Sequence, residues 1–280
     1  MLSSKSGTGL SCNRKNDMIR KSWNHSKWML TSQVEHARLA ALIAASWNFQ
    51  EEKPREEVFQ AIRRHDDGWR AVDDCATLHP SGIPCDFDEL PLAKSTELWL
   101  ASAEGLEKDG YFYGAALVAA HFLHLCQNKA DMARASARSA QAAGTFIGKA
   151  RALRTRCLKK STPAITANPP ETDETFLRDL HFLQVCDLLS LLMCSEFAGD
   201  IDIPDLPFLN TSPTLKVSRK GETLSLVLSP IPFKKNLRDH LNSIVIPKQL
   251  YESQEQLQTT YKAVKPANNE VYFGAQQTGF

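Results

Sequence analysis

The chain has 280 residues, 42% of them hydrophobic, 23% charged and 8% aromatic, with 33 basic against 32 acidic side chains. That length suits one large domain or two modest ones, each able to bury a core. Near-neutral charge argues against a nucleic-acid or anionic-membrane partner, and no run of about 20 apolar residues marks a membrane span.

The opening residues 1–17 are polar, without a signal-peptide core, and read as a disordered tail. Met18 opens the first patterned segment and stands as an alternative start. IRKSWNHSKWML, from Ile19 to Leu30, predicts a short β-hairpin turning at Asn24–Lys27. Thr31 or Ser32 then caps a helix, with Glu35 completing a capping box. That helix carries QVEHARLAALIAASW, with His36 on a face shared with Ala40 and Ile43, and Gln33 and Glu35 on other faces. A second helix, REEVFQAIRRHDDGW, sets Val58, Phe59, Ile62 and His65–Asp66 along one side. The long stretch from Ala71 to Leu92, rich in Asp, Pro and Gly, suggests a lid or binding loop.

Helical patterns return at Lys94–Lys108, Tyr111–Gln127 and Ala130–Lys159. The basic run RALRTRCLKK within the last of these reads as a solvated helix face. After a Pro- and Thr-rich break comes the apolar helix ETFLRDLHFLQVCDLLSLLMCSEF, predicted to be central to the core. Beyond Gly199, LKVSRKGETLSLVLSPIPF predicts two strands around Arg219–Gly221, and Ser243–Ile246 a further one. Residues 251–263 read as helix. The expected class is mainly α: a helical metal-binding domain over 18–200, a β-rich appendage over 201–265 packed on it, and a flexible tail over 266–280. Seven cysteines without a CxxC pair argue against disulfides or structural zinc and for a reducing, cytoplasmic compartment. Cys126, Cys186 and Cys194 fall among core positions.

The chemistry concentrates in His65–Asp66–Asp67. A His followed by an Asp at a helix end can offer imidazole and carboxylate to one ion, as Zn, Fe, Mn or Mg sites require. Asp187 interrupts the apolar run LQVCDLLSLLMC, where a buried carboxylate needs a cation, a basic partner or solvent. His121 and His124 lie one helical turn apart, so both are candidates for the same cleft. No P-loop, GxGxxG, GxSxG or HExxH is present.

The order His, His-Asp, then a late Asp resembles the HD-domain superfamily of helical, metal-dependent phosphohydrolases, which includes a two-iron oxygenase branch. The resemblance implies an HD-like helical bundle in which His36, His65, Asp66 and Asp187 bind one or two divalent ions, with His121 where multi-metal members place further histidines. Asp67 and His121 are the expected proton-handling groups. Arg38, Trp69, Arg70 and His124 are expected to meet a small anionic substrate. HD hydrolases commonly follow the pair with x-Gly-Lys; here Asp67–Gly68–Trp69 replaces the lysine with an indole. A closer resemblance runs from Met18 to about Lys265. LTSQVEHARLAALIAASW, VFQAIRRHDDGW, GIPCDF, CDLLSLLMC and SPIPF look like an uncharacterised bacterial family known as domain-of-unknown-function family 3891, which implies no activity. Three functions stay open: a hydrolase of a phosphoester or nucleotide-like molecule, a two-iron oxygenase, and a non-catalytic small-molecule-binding regulator. SPIPF and the 71–92 loop are expected near the pocket.

Overall fold

The computed structural model describes residues 18–73, 75–132, 137–161, 172–211, 213–219 and 224–275, the side chains of 128–132 and 138 excepted. The expected tail at 1–17, the break at 162–171, the turn tip at 220–223 and the last five residues lie outside the described residues.

Strands β1 (Ile19–Asn24) and β2 (Lys27–Thr31) form the predicted antiparallel hairpin. Helix α1 (Gln33–Ser46) starts at Ser32, whose Oγ accepts from the Glu35 amide at 3.1 Å. The capping box does not close. Glu35 Oε1 instead accepts from Arg38 Nε at 3.0 Å and from the Asn242 amide at 2.9 Å, tying α1 to the sheet. Helices α2 (Glu56–Arg64), α3 (Leu92–Lys108), α4 (Phe112–Met132), α5 (Ala137–Ser161) and α6 (Glu174–Cys194) follow. Every residue of α4 from Tyr113 to Leu123 is buried, as expected for a helix without a polar stripe. Gly114 lets it close on α2: a Cβ there would lie 2.8 Å from the Glu57 carbonyl oxygen. The basic run on α5 faces outward, with Arg156 and Lys160 paired to Glu107 of α3.

The chain then adds β3 (Ile201–Ile203), β4 (Leu215–Arg219), β5 (Ser225–Ser229), β6 (Leu237–Pro247), α7 (Gln254–Ala263) and β7 (Ala267–Gly274). All seven strands join one mixed sheet in the order β1-β2-β6-β7-β5-β4-β3, parallel only between β5 and β7. This overturns the mainly α, all-alpha expectation of an HD-like bundle with small β pieces at its ends; the fold is α/β. The hairpin and the C-terminal strands are one structure, because Lys27–Leu30 pair with Ile244–Pro247. Strand pairing across more than 200 residues leaves no local signal in the sequence. Strand β7, expected as part of a frayed tail, lies inside the sheet with Val271 and Phe273 buried. Its first four residues are polar or small, so alternation is weak where a reader meets it first.

Edge-on aromatic pairs knit helices to sheet: Trp47 meets Phe182 at 5.2 Å and Phe233 at 6.0 Å between ring centres. Phe233 closes the SPIPF segment, which therefore packs in this core rather than at the pocket. No disulfide joins the six described cysteines, and Cys126, Cys186 and Cys194 are buried. Among the described residues no helix is long and apolar enough to cross a membrane.

Candidate metal centre

Four elements bring their polar residues to one point. His36 lies on the buried stripe of α1 with Gln33, Ala37, Ala40 and Ala44. His65 follows α2 in phase with its buried residues Val58, Ala61 and Ile62. It satisfies one of that helix's terminal carbonyls, donating from Nδ1 to the Ile62 oxygen at 2.8 Å. Asp66 follows at the start of a 3-10 turn over Asp67–Ala71, and Asp187 sits in the middle of α6. The turn presses on α3: Gly68 N donates to Ser102 Oγ at 2.9 Å, and a Cβ at Gly68 would overlap the Leu98 carbonyl.

His36 Nε2 lies 2.8 Å and His65 Nε2 3.1 Å from Asp187 Oδ1; Asp66 Oδ2 is 3.3 Å from His65 Nε2 and 3.9 Å from His36 Nε2. His121 Nε2 is 3.5 Å from the other Asp187 oxygen. The tautomers follow from what lies behind the rings. The Ile62 carbonyl can only accept, so His65 carries a proton on Nδ1. Ser190 Oγ donates to the Asp187 carbonyl at 2.9 Å, so its contact with His36 Nδ1 at 2.8 Å is a bond from imidazole to hydroxyl. Both Nε2 atoms of the neutral rings are therefore lone pairs aimed at carboxylates. Acceptors facing acceptors in a buried site require a proton or a cation between them. Ligand atoms around an ion held at about 2.0–2.2 Å stand about 3–3.5 Å apart, so the spacings seen suit a small divalent ion. His36, His65 and Asp66 each offer an atom within 4.8 Å of the others, a set that could hold a metal ion.

Without an ion, protons take that place. Burial alone would push the His65 imidazolium down, but Asp66 and Asp187 outweigh it and hold its pKa well above 6.5. Burial would likewise raise Asp187, but the His36 and His65 imidazoles hold it well below 3.8. Burial pushes His121 down to about 4, leaving it neutral at pH 7.

The cluster forms one end of a cavity of about 180 Å³, walled by Trp69, Phe87, Trp99, Phe122, Leu125 and Leu191. Gln33 and Ser95 also line it. Gln33, expected on another face of α1, is buried and lines the cavity with His36. Of the long 71–92 loop, Phe87 reaches the cavity; Asp86 caps the short turn that holds it.

Several expected site residues are not brought here. Asp67 points away, pairing with Arg64 at 2.8 Å and Arg70 at 2.8 Å, because successive turn residues diverge in direction. Arg70 is thereby held outside the cavity. Arg38, two residues past His36 and on the opposite side of α1, pairs with Glu35 and Asp239. His124 is exposed; on α4 the position facing the cavity beside His121 is Leu125, four residues on, which turns through only about 40°. His181 donates outward to the Asp205 carbonyl at 3.1 Å. Sequence reasoning missed Ser190, Ser95, Phe87 and Trp99. Only Ser190 had a signal, as a polar residue in the apolar run one turn after Asp187.

Asp73 reaches back to the start of α1, accepting from the Val34 amide at 3.0 Å. Burial raises its pKa to about 7. A raised carboxyl contributes stability that is fully present below 3.8 and lost as pH climbs through 7. Asp73→Asn keeps the acceptor without the charge. In urea titrations it is expected to match the wild type near pH 4 and exceed it by about 4 kcal/mol at pH 8; equal stability at both pH values would contradict this.

Fold and site together define an α/β protein with a buried histidine–aspartate cluster at the end of an aromatic cavity. The chain belongs to the DUF3891 family, described as a protein of unknown function, whose model matches residues 18–248. No curated protein and no solved structure matches the chain.

Proposed function

We propose that the protein is a metal-dependent hydrolase of a small molecule, with His36, His65, Asp66 and Asp187 as the ligands of a divalent ion (Fe, Mn, Zn or Mg). One observation carries the reading: two imidazole lone pairs, their tautomers set by Ile62 and Ser190, converge on two carboxylates in a buried pocket. The ligand order along the chain also resembles the HD pattern. A divalent ion there supplies a Lewis acid and a bound water acidified towards neutral pH. The protein's part is to hold His36 and His65 rigidly through their Nδ1 protons and to balance the ion's charge with Asp66 and Asp187. The aromatic walls exclude bulk water, and neutral His121 stands among the residues lining the cavity. The exposure of His124 takes away one of the extra histidines that favoured the two-iron oxygenase.

Elemental analysis of the purified chain, beside Asp66→Ala and Asp187→Ala, tests the centre. Near-stoichiometric metal in the wild type and its loss in both variants is expected. A wild type that stays metal-free after reconstitution would leave the cluster as a hydrogen-bonded core. Turnover that persists under anaerobic conditions separates hydrolysis from oxygenation.

A further inference from the structure

The cavity carries information about what binds beside the cluster. Three residues that line it each carry a buried polar atom with no hydrogen-bond partner among the described residues: Trp69 Nε1, Ser95 Oγ and His121 Nδ1. They come from three elements (the 3-10 turn, α3 and α4), and their residues are 3%, 1% and 2% exposed. Buried polar groups are normally satisfied, so three such atoms on residues of one cavity call for a partner that the described residues do not supply. The indole N–H only donates and needs an acceptor. His121 Nε2 lies 3.5 Å from Asp187 Oδ2, beyond a firm hydrogen bond, so His121 Nδ1 can donate or accept according to the ring's tautomer.

Charge limits the ligand further. Among the described residues no lysine or arginine lines the cavity. Arg38, Arg64 and Arg70 are engaged in ion pairs outside it. On the metal-centre reading proposed above, Asp66 and Asp187 cancel a divalent ion, leaving no positive charge for a phosphate dianion. Burying such an anion unpaired would be strongly unfavourable.

We infer that the site takes a small, uncharged molecule with an apolar, planar body and a polar end carrying both an acceptor and a donor, as in a carboxamide or an alcohol. It is not a site for a phosphate ester or nucleotide. The body lies between Trp69, Trp99, Phe87 and Phe122, and the polar end meets Trp69 Nε1, Ser95 Oγ and His121 Nδ1. The cavity is smaller than the roughly 300–1,000 Å³ of drug-sized sites, which restricts the ligand to about a single ring with its substituent.

Calorimetric titration of the full-length protein, chelated and metal-loaded, with benzamide, acetanilide and benzyl alcohol beside benzoate and phenyl phosphate tests this. At least one neutral probe is expected to saturate at least tenfold more tightly than either anion. Its affinity should fall at least fivefold in Trp69→Phe and in Ser95→Ala, both checked for folding by circular dichroism. Equal or tighter binding of phenyl phosphate, no saturation by any neutral probe, or affinities unchanged in both variants would overturn the inference. Neutral-probe binding in a protein that takes up no metal would uphold the ligand class while sinking the metal centre. Metal uptake with phosphate preferred would do the reverse.

Discussion

Loading the protein with a suitable divalent ion is expected to raise its unfolding midpoint by about 10 °C. A ligand present at a thousandfold excess over its dissociation constant adds about 4 kcal/mol, and a chain of this size gains about 2–4 °C per kcal/mol. The gain should shrink as pH falls. In the ion-free protein the carboxylates keep a proton on His65, and an ion must displace it. The sign follows from the raised pKa: proton competition weakens only when pH approaches or exceeds the folded value. Each unit of pH below it costs the ion about tenfold in apparent affinity per proton displaced. Differential scanning calorimetry with iron, manganese, zinc and magnesium between pH 6 and 8.5 measures both effects. No shift with any of the four would refute the centre, and a shift independent of pH would refute His65 as a ligand.

Gly68→Ala is expected to destabilise the fold by about 3 kcal/mol or more, because the added methyl meets backbone rather than a yielding side chain. The 3-10 turn would have to lift from α3, breaking the bond from Gly68 N to Ser102 and moving Asp66 and Trp69 on either side. Metal affinity should therefore fall with stability. Gly105→Ala on the same helix α3 is the control. Its nearest neighbour to an added Cβ is Arg64 Nη2 at 3.9 Å, and alanine should gain about 0.5–1 kcal/mol through helix propensity. Chemical denaturation of both variants settles the contrast; a mild Gly68→Ala would mean the turn is not seated as described.

Much of the local architecture was legible because its causes are local. Ser32 starts α1, Gly110 with φ +85° ends the α3 region, and alternation of Leu224, Leu226 and Leu228 marks β5. Asp187 stood out because a carboxylate in an apolar helix must be compensated, and the structure places it against His36 and His65. Arg38 and His124, like Asp67 and Arg70 on the 3-10 turn, stand near the cluster in sequence but not in space. Proximity in sequence to a ligand does not set direction, and steps of two or three residues on a helix rotate a side chain by about 200° or 300°.

The sequence by itself determined the helices, the hairpin and the family, and singled out Asp187 as a carboxylate too costly to bury alone. Tertiary structure decided that the two ends of the chain share one sheet, which depends on backbone pairing that any apolar strand could offer. It also decided the cavity. Ser95, Trp99, Phe87 and Leu125 are ordinary core residues in sequence, and they become a wall only when α3, α4 and the 71–92 loop close around the cluster. Whether a buried polar group is satisfied depends on atoms brought from distant segments, so the unpartnered indole, hydroxyl and imidazole nitrogen are apparent only in the folded molecule.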